Sequence, residues 1–263
     1  MQLLTEDKLE AAIEYAGKDT ANCVYLYIDL TDYGIHDPNV TVWYEENDAG
    51  EFEILVLKYY DCFQVYSHYD ECNLTGLVEL INRYQISRVF SRKGIIERLQ
   101  VEFDRDYEVY YGKVMKLSKY KKLDYENFVE EASLEDLREI EELLLKDEEF
   151  SLSYKSGELV EQFADRLKAG KGANYIIRKD NEIVAHSCVS AKTDRFMVLS
   201  YSIVKKDARD FPYGAFIDSY ILNELQKTDI NIYGFLGDAR RIRLFEAMGN
   251  HVAAEYGKLI KKQ

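Results

Sequence analysis

Four cysteines, a glutamate-rich helix, a run of tyrosines and one strand histidine are the residues of this chain whose chemistry could go beyond packing. Cys23, Cys62, Cys72 and Cys188 show no CxxC spacing and mostly sit inside apolar runs. They read as buried free thiols of a reducing compartment rather than as disulfides or a metal site. The glutamates between Ser133 and Glu149 alternate with Leu134, Leu137, Ile140 and Leu144 at helical spacing, so they form a solvated face and no metal centre. Tyr59, Tyr60, Phe63, Tyr66 and Tyr69 could line a substrate cleft, although sheet packing accounts for them better. Asp194 opens a strand that carries Ser200, Tyr201 and Ser202, and His186 lies on the strand before it. A strand histidine is more often a hydrogen-bonded structural residue than a base.

These residues must be positioned by a folded body, and the composition provides one. The chain has 263 residues, 47% hydrophobic and 31% charged, with only 2 prolines, which excludes collagen-like, low-complexity and disordered classes. A formal net charge of −14 excludes binding to a nucleic-acid backbone, which needs a basic face. No stretch approaches the roughly 18 apolar residues of a membrane span, and Met1–Glu10 is too polar for a signal-peptide core. A cytoplasmic protein with no membrane or nucleic-acid partner is the expectation. Oligomeric state leaves no trace in the sequence.

The first half alternates helical and period-2 patterns. Glu6–Tyr15 predicts a helix; Val24–Leu30, Val40–Tyr44, Phe52–Tyr59 and Phe63–Ser67 predict strands, with turns at Asn47–Gly50 and Tyr60–Asp61. Leu74–Arg83 and Gly94–Phe103 predict helices around a short strand Arg88–Ser91, and Tyr107–Leu117 closes as a strand. The lysine-rich break Lys119–Asp124 predicts a linker, dividing the chain into domains 1–122 and 123–263. Beyond it, Ser133 caps a helix running to about Glu149, and a second helix runs from Gly157 to Ala169. A meander follows in Asn174–Arg178, Glu182–Ala191 and Phe196–Val204. The loop Lys205–Tyr213 then leads to a helix Gly214–Gln226, a strand Ile230–Phe235, a helix Asp238–Met248 and a strand His251–Ile260. That ending demands a mixed sheet with a parallel crossover, and the class is α/β, of the α+β layered kind.

In element order and in the stretches Glu182–Ser187, Ser200–Gly214, Asp238–Gly249 and Glu255–Leu259, the second half resembles the GNAT superfamily of acyl-CoA N-acyltransferases. Glu182–Ser187 is similar to the family's strand after its "gkivAh" turn. Ser200–Gly214, SYSIVKKDARDFPYG, aligns without gaps to its strand and R-G-x-G-Y-G/A loop. Asp238–Gly249, DARRIRLFEAMG, resembles its "NpaAxxlYxxxGF" helix, and Glu255–Leu259 its closing strand. The resemblance covers roughly Ser133–Lys261 and implies a mixed sheet flanked by helices. In the first half, Tyr110–Leu117 (YYGKVMKL) echoes the EYGKLIKK closing strand, and both halves end strand, helix, strand. A smaller N-terminal α/β domain that is a diverged GNAT-like repeat would explain this.

The resemblance also implies a site. The family's loop turns backbone N–H groups and a helix N-terminus onto the pyrophosphate of coenzyme A, and glycines let the backbone come close. Here Arg209, Phe211, Tyr213, Gly214 and Ala215 fall on that loop, but Asp210 and Pro212 replace its inner glycines. Asp210 brings a repelling charge and Pro212 lacks an N–H; Lys205, Lys206 and Arg209 could compensate. Ile203 and Val204 would pair with the pantetheine amides. Asp238, Arg241 and Phe245 fall on the cofactor-flanking helix, where Arg240, Arg241 and Arg243 form either a phosphate contact or a solvated basic face. Phe245 stands where the family often has its acid tyrosine and has no proton to give. Tyr213 and Tyr233 are then the candidate acids, Asp194 and His186 the candidate bases. The implied activity is transfer of an acetyl group from acetyl-CoA to an amine of a small molecule or peptide. The alternative is a catalytically inactive GNAT-fold binding or regulatory module.

Overall fold

A computed structural model of the chain describes residues 1–118, 123, 128–225 and 230–262. The chain forms two compact units, Met1–Val114 with Ala253–Gln263, and Met115–Val252. The passage between them falls at Val114 and Met115. Of the expected linker Lys119–Asp124 only Leu123 is described; the rest lies outside the described residues, as does the end of the helix expected to reach Gln226. The final strand belongs mainly to the first unit, a feature that a single cut at 122/123 does not contain.

The first unit contains β1 (Gln2–Leu3), α1 (Glu6–Gly17), α2 (Thr20–Tyr33), β2 (Val40–Glu46), β3 (Phe52–Tyr59), β4 (Cys62–Tyr66), α3 (Thr75–Tyr84), β5 (Arg88–Arg92), α4 (Lys93–Phe103) and most of β6 (Tyr107–Leu117). The run Val24–Leu30, expected as a strand, is the centre of α2. Cys23, Val24, Leu26, Tyr27, Ile28, Asp29 and Leu30 are all buried, and a run enclosed on every side has no periodicity by which to tell a helix from a strand. The element spans 14 residues with a kink at Cys23 (φ −146°, ψ 27°), and the run Val24–Leu30 lies on the helical side beyond it. The Thr31 hydroxyl donates back to the Tyr27 carbonyl at 2.7 Å, and Gly34 closes the helix at φ 62°. Strands β1 to β4 pair antiparallel, β4 and β5 pair parallel, and the closing strand β12 (His251–Lys261) pairs antiparallel with β5. The order in this unit is β1-β2-β3-β4-β5-β12-β6.

The second unit contains β7 (Glu130–Glu131), α5 (Leu137–Leu144), α6 (Glu148–Ser153), α7 (Glu158–Lys168), β8 (Ala173–Lys179), β9 (Glu182–Lys192), β10 (Phe196–Val204), α8 (Tyr213–Leu225), β11 (Asn231–Leu236) and α9 (Ala239–Ala247). The single helix expected from Ser133 to Glu149 is broken. It starts as a 3-10 turn under a Ser133–Asp136 capping box and stops at Leu144, and Asp147 caps α6 separately through the Glu149 N–H at 3.1 Å. The strand order is β6-β11-β10-β9-β8-β7, with β10 and β11 parallel and β7 to β10 antiparallel. Two cores line this sheet. Ile140, Leu143, Leu159 and Phe163 of α5 and α7 pack with Ile176, Ile183 and Cys188 on one face. Ile217, Ile221 and Phe245 of α8 and α9 pack with Val184, Val189, Met197 and Leu199 on the other.

Candidate functional site

The second unit's sheet parts at β10. Parallel pairing with β11 runs from Phe196↔Asn231 to Leu199↔Gly234 and ends there, while pairing with β9 continues to Val204↔Ala185. The β9 register shifts between Ser200 and Ile203, a bulge that holds Tyr201 at φ 53°. A bulky residue in that left-handed conformation is strained. Ser200–Val204 thus lie beyond the β11 register and keep β9 as their strand neighbour. The Lys205 N–H donates to the Val184 carbonyl at 2.8 Å on the paired edge.

The loop after β10 makes a 3-10 turn at Lys206–Ala208 and enters α8 at Tyr213. Arg209, Asp210, Phe211 and Pro212 are exposed. Arg209 turns back, and its Nε donates to the Val204 carbonyl at 3.1 Å. Lys205 pairs with Glu182 at 2.7 Å, which raises the lysine's pKa and lowers the glutamate's. The Tyr213 N–H is taken by the Phe211 carbonyl at 2.9 Å, and the Phe216 N–H by that of Pro212 at 3.1 Å. Gly214 and Ala215 lie between them in the first turn, where N–H groups have no acceptor within the helix and the helix dipole favours an anion. A Cβ on Gly214 would lie 3.3 Å from Val204 Cγ2, so the helix start sits against the end of β10.

A polar network crosses the face carrying α8 and α9. Arg241 Nη2 donates to both Asp218 oxygens at 2.6 and 2.7 Å and to Ser202 Oγ at 3.1 Å. Ser202 Oγ in turn lies 2.6 Å from Ser187 Oγ. Asp218 is buried, which raises its carboxyl pKa against the opposing pull of Arg241. Beneath Arg241 the Phe245 ring is 1% exposed, 5.8 Å from the guanidinium carbon. Asp238 caps α9, accepting from the Arg240 N–H at 2.6 Å and the Arg241 N–H at 3.4 Å. Asp218 and Ser187 escape a reading of the sequence. Their one signal is a polar interruption in otherwise apolar elements, YGAFIDSYILNEL and EIVAHSCVSAK.

Among the four catalytic candidates, Tyr213 and His186 lie at the parted strands, His186 in register with Ile203. Asp194 is in the β9–β10 turn, beyond the far end of a nine-residue strand that spans roughly 26 Å from Phe196 to Val204 at strand rise. Tyr233 is buried and stacks on Phe196 at 6.2 Å, in the closed part of the β10–β11 pair. His186 is buried on the other face, with Nδ1 2.9 Å from the Tyr201 carbonyl and Nε2 3.0 Å from Asn174 Oδ1. Burial lowers its pKa to about 4, so at neutral pH it is an uncharged donor to that carbonyl. Beside it, the Tyr201 and Tyr154 hydroxyls lie 2.7 Å apart. All four cysteines are free, three of them buried.

No protein-family model and no curated protein matches this chain in sequence. Solved structures do match it in shape. A GCN5-related N-acetyltransferase-like protein from Streptococcus suis superposes with a TM-score of 0.63 at 10% identity, over 97% of this chain and 99% of that one. A GCN5-related N-acetyltransferase from Sphaerobacter thermophilus gives 0.61 at 12% identity, over 99% and 94%. A tandem GNAT protein from the clavulanic acid biosynthesis pathway gives 0.58 at 10% identity, over 99% and 97%. The chain has the GNAT fold across nearly its whole length.

Proposed function

We propose that the second unit is an acetyl-CoA-dependent N-acetyltransferase acting on an amine of a small molecule or peptide. The amine nitrogen attacks the thioester carbonyl carbon, forming the C–N bond as the C–S bond breaks; the nitrogen's proton passes to water, and coenzyme A leaves as its thiolate. The observation that carries this reading is the parting of β10 from β11 after Leu199, facing the start of α8, in a GNAT fold. In this reading the backbone of Ile203 and Val204 takes the pantetheine amides, and the Gly214 and Ala215 N–H groups take a phosphate. Arg209 must release the Val204 carbonyl to reach the pyrophosphate, and Tyr213 supplies the proton to the thiolate. The free thiols suit the cytoplasm.

Calorimetric titration with acetyl-CoA tests the reading. Micromolar binding that weakens with salt supports it; no heat and no thermal shift at millimolar cofactor overturns it. Two observations favour a second reading, a binding module without catalysis. Arg241 ties α9 to α8 and Ser202 beside the parted strands, and Phe245 has no proton to transfer. Turnover separates the two: Tyr213→Phe should slow an active enzyme at least tenfold, while Phe245→Leu acts only through packing.

A further inference from the structure

We propose that Arg241 is a catalytic residue of this site, stabilising the thiolate of coenzyme A as it leaves by charge and N–H donation. The proposal rests on the transferase reading and supplies what its departing sulfur needs. In that reading the phosphate meets Gly214 beside Val204, and the pantetheine amides meet Ile203 and Val204. The sulfur, beyond the amides, then lies further back along β10. Two residues before Val204, roughly 7 Å at strand rise, is Ser202. Arg241 meets the strand at that level, with Nη2 3.1 Å from Ser202 Oγ.

The guanidinium is held firmly at one nitrogen and left open at the others. Nη2 donates to both Asp218 oxygens at 2.6 and 2.7 Å as well as to Ser202, whose hydroxyl lies 2.6 Å from that of Ser187. Asp218 and Ser187 are buried, so packing fixes the anchor. Each of these bonds leaves from Nη2. Among the described residues nothing accepts from Nε or Nη1, and the Arg241 side chain is 27% exposed. The buried Phe245 ring backs the guanidinium at 5.8 Å.

As the C–S bond breaks its electron pair goes to sulfur, and negative charge grows there. A positive donor already fixed in position stabilises such charge without reorganising, usually the largest single term in catalysis of acyl transfer. Arginine keeps its protons at any working pH, so Arg241 acts as a charge and a donor, and the proton that neutralises the thiolate still comes from Tyr213. Phe245, one turn along α9, has no proton to give and presents an apolar floor, against which the attraction between guanidinium and thiolate is stronger than in water.

The test is the ionisation of coenzyme A bound to the full chain, followed as the ultraviolet absorbance of its thiolate against pH, with the protein alone as blank. Binding of coenzyme A and acetyl-CoA is measured in parallel by calorimetry on the wild type and each variant. The expected result is a bound thiol whose pKa lies about one unit below that of free coenzyme A. Arg241→Met should remove that shift while coenzyme A still binds, and Arg241→Lys should keep part of it, since the charge stays and the planar fork goes. Should Arg241→Met fail to fold, Asp218→Leu with Arg241→Leu gives the same reading without leaving a buried charge unpaired. A wild type that binds coenzyme A with an unshifted thiol, or a shift that survives the loss of Arg241, overturns the proposal and leaves the transferase reading standing. A wild type that binds neither coenzyme A nor acetyl-CoA overturns both.

Discussion

Each unit contains a parallel strand pair followed by a helix at the end of each strand, and the two pairs treat their helix starts differently. In the first unit, β4 and β5 pair from Cys62↔Arg88 to Gln64↔Phe90. The Asp70 carboxylate sits over Gly94 at the start of α4, pinned by Arg92 Nε at 2.8 Å. Arg92 also donates to the Ser67 and His68 carbonyls at 3.1 and 2.6 Å, and Arg98 to that of Cys72 at 2.8 Å. At α3, the Glu45 carboxylate packs against Gly76. At both helix starts a carboxylate from elsewhere in the unit packs on the first-turn glycine and is itself held by a cation, Glu45 by the Met1 ammonium at 3.0 Å and Asp70 by Arg92. In the second unit α9 is capped by its own Asp238, while at the start of α8 Gly214 faces the Val204 methyl and the Phe216 ring stacks on Phe128 at 5.4 Å. The same connection has a carboxylate packed on its helix-start glycine in one unit and a valine methyl there in the other.

The largest expected difference between the units is acid sensitivity. His186 has a folded pKa of about 4 against an ordinary 6.5, because burial disfavours the charged ring. Between those values the unfolded chain binds the proton and the folded unit does not, so stability falls as pH drops from about 6.5 to about 4. It is unaffected by this group above that window, and the loss levels off below it. The full loss is about 3 kcal/mol at 1.36 kcal/mol per pKa unit. His68 in the first unit is lowered by burial too, but it is only half-buried and its loss should be shallower. Hydrogen exchange at pH 7 and pH 4.5 should therefore release β9 and β10 amides before those of β3 and β4. Equal release in both units would break the comparison, and His186→Gln should flatten the second unit's pH dependence.

The second unit was the more legible in sequence, for physical reasons. Its strands have one face against α5 and α7 and the other against α8 and α9, and Lys179-Asp180-Asn181 and Thr193-Asp194 mark their turns. The first unit hid α2 in an apolar run without a polar stripe, and the return of the final strand to it had no local signal. For the site, the loop letters located α8 and its neighbours to within a residue. They did not reveal Asp218, Ser187 or Tyr154, because ion pairs and hydroxyl contacts joining residues 15 to 47 positions apart are products of the fold. Asp194 and Tyr233 were named by proximity along the chain, and strand direction carried them away from the bulge.

Next in size comes the arginine that each unit places near its second helix. Arg241 serves a buried carboxylate, its own side chain 27% exposed and that of Asp218 8%. Arg241→Leu leaves that carboxylate without its partner and should cost about 2–3 kcal/mol in chemical denaturation, below the range for fully buried pairs. Asp218→Leu made together with Arg241→Leu should recover part of the loss, since no unpaired charge then stays buried. Arg92 serves a carboxylate that is 44% exposed, so Arg92→Leu should cost about 1–2 kcal/mol, most of it from the two backbone carbonyls it releases. Arginine substitutions of equal cost would mean that the two sites are equally buried in solution.

The smallest effect is also the most direct probe of what fills each helix start. Alanine is favoured over glycine inside a helix by about 1 kcal/mol, so Gly→Ala there is stabilising unless the new methyl meets an obstacle. At Gly94 the methyl runs into the Asp70 carboxylate, which cannot withdraw without loosening its contact with Arg92. The clash should outweigh the helical gain and leave Gly94→Ala destabilised by about 1 kcal/mol. At Gly214 the atom a methyl would meet among the described residues is Val204 Cγ2 at 3.3 Å, close enough to need a small shift. Gly214→Ala should therefore be neutral or stabilising by up to about 0.5 kcal/mol, less than the interior value because the residue lies in the first turn. Thermal melts of the two variants should move in opposite directions. Introducing Asp70→Ala should turn Gly94→Ala from harmful to neutral, because the obstacle is then gone. If Gly94→Ala remains destabilising without Asp70, the carboxylate is not what closes the first unit's helix start, and the contrast between the two units loses its cause.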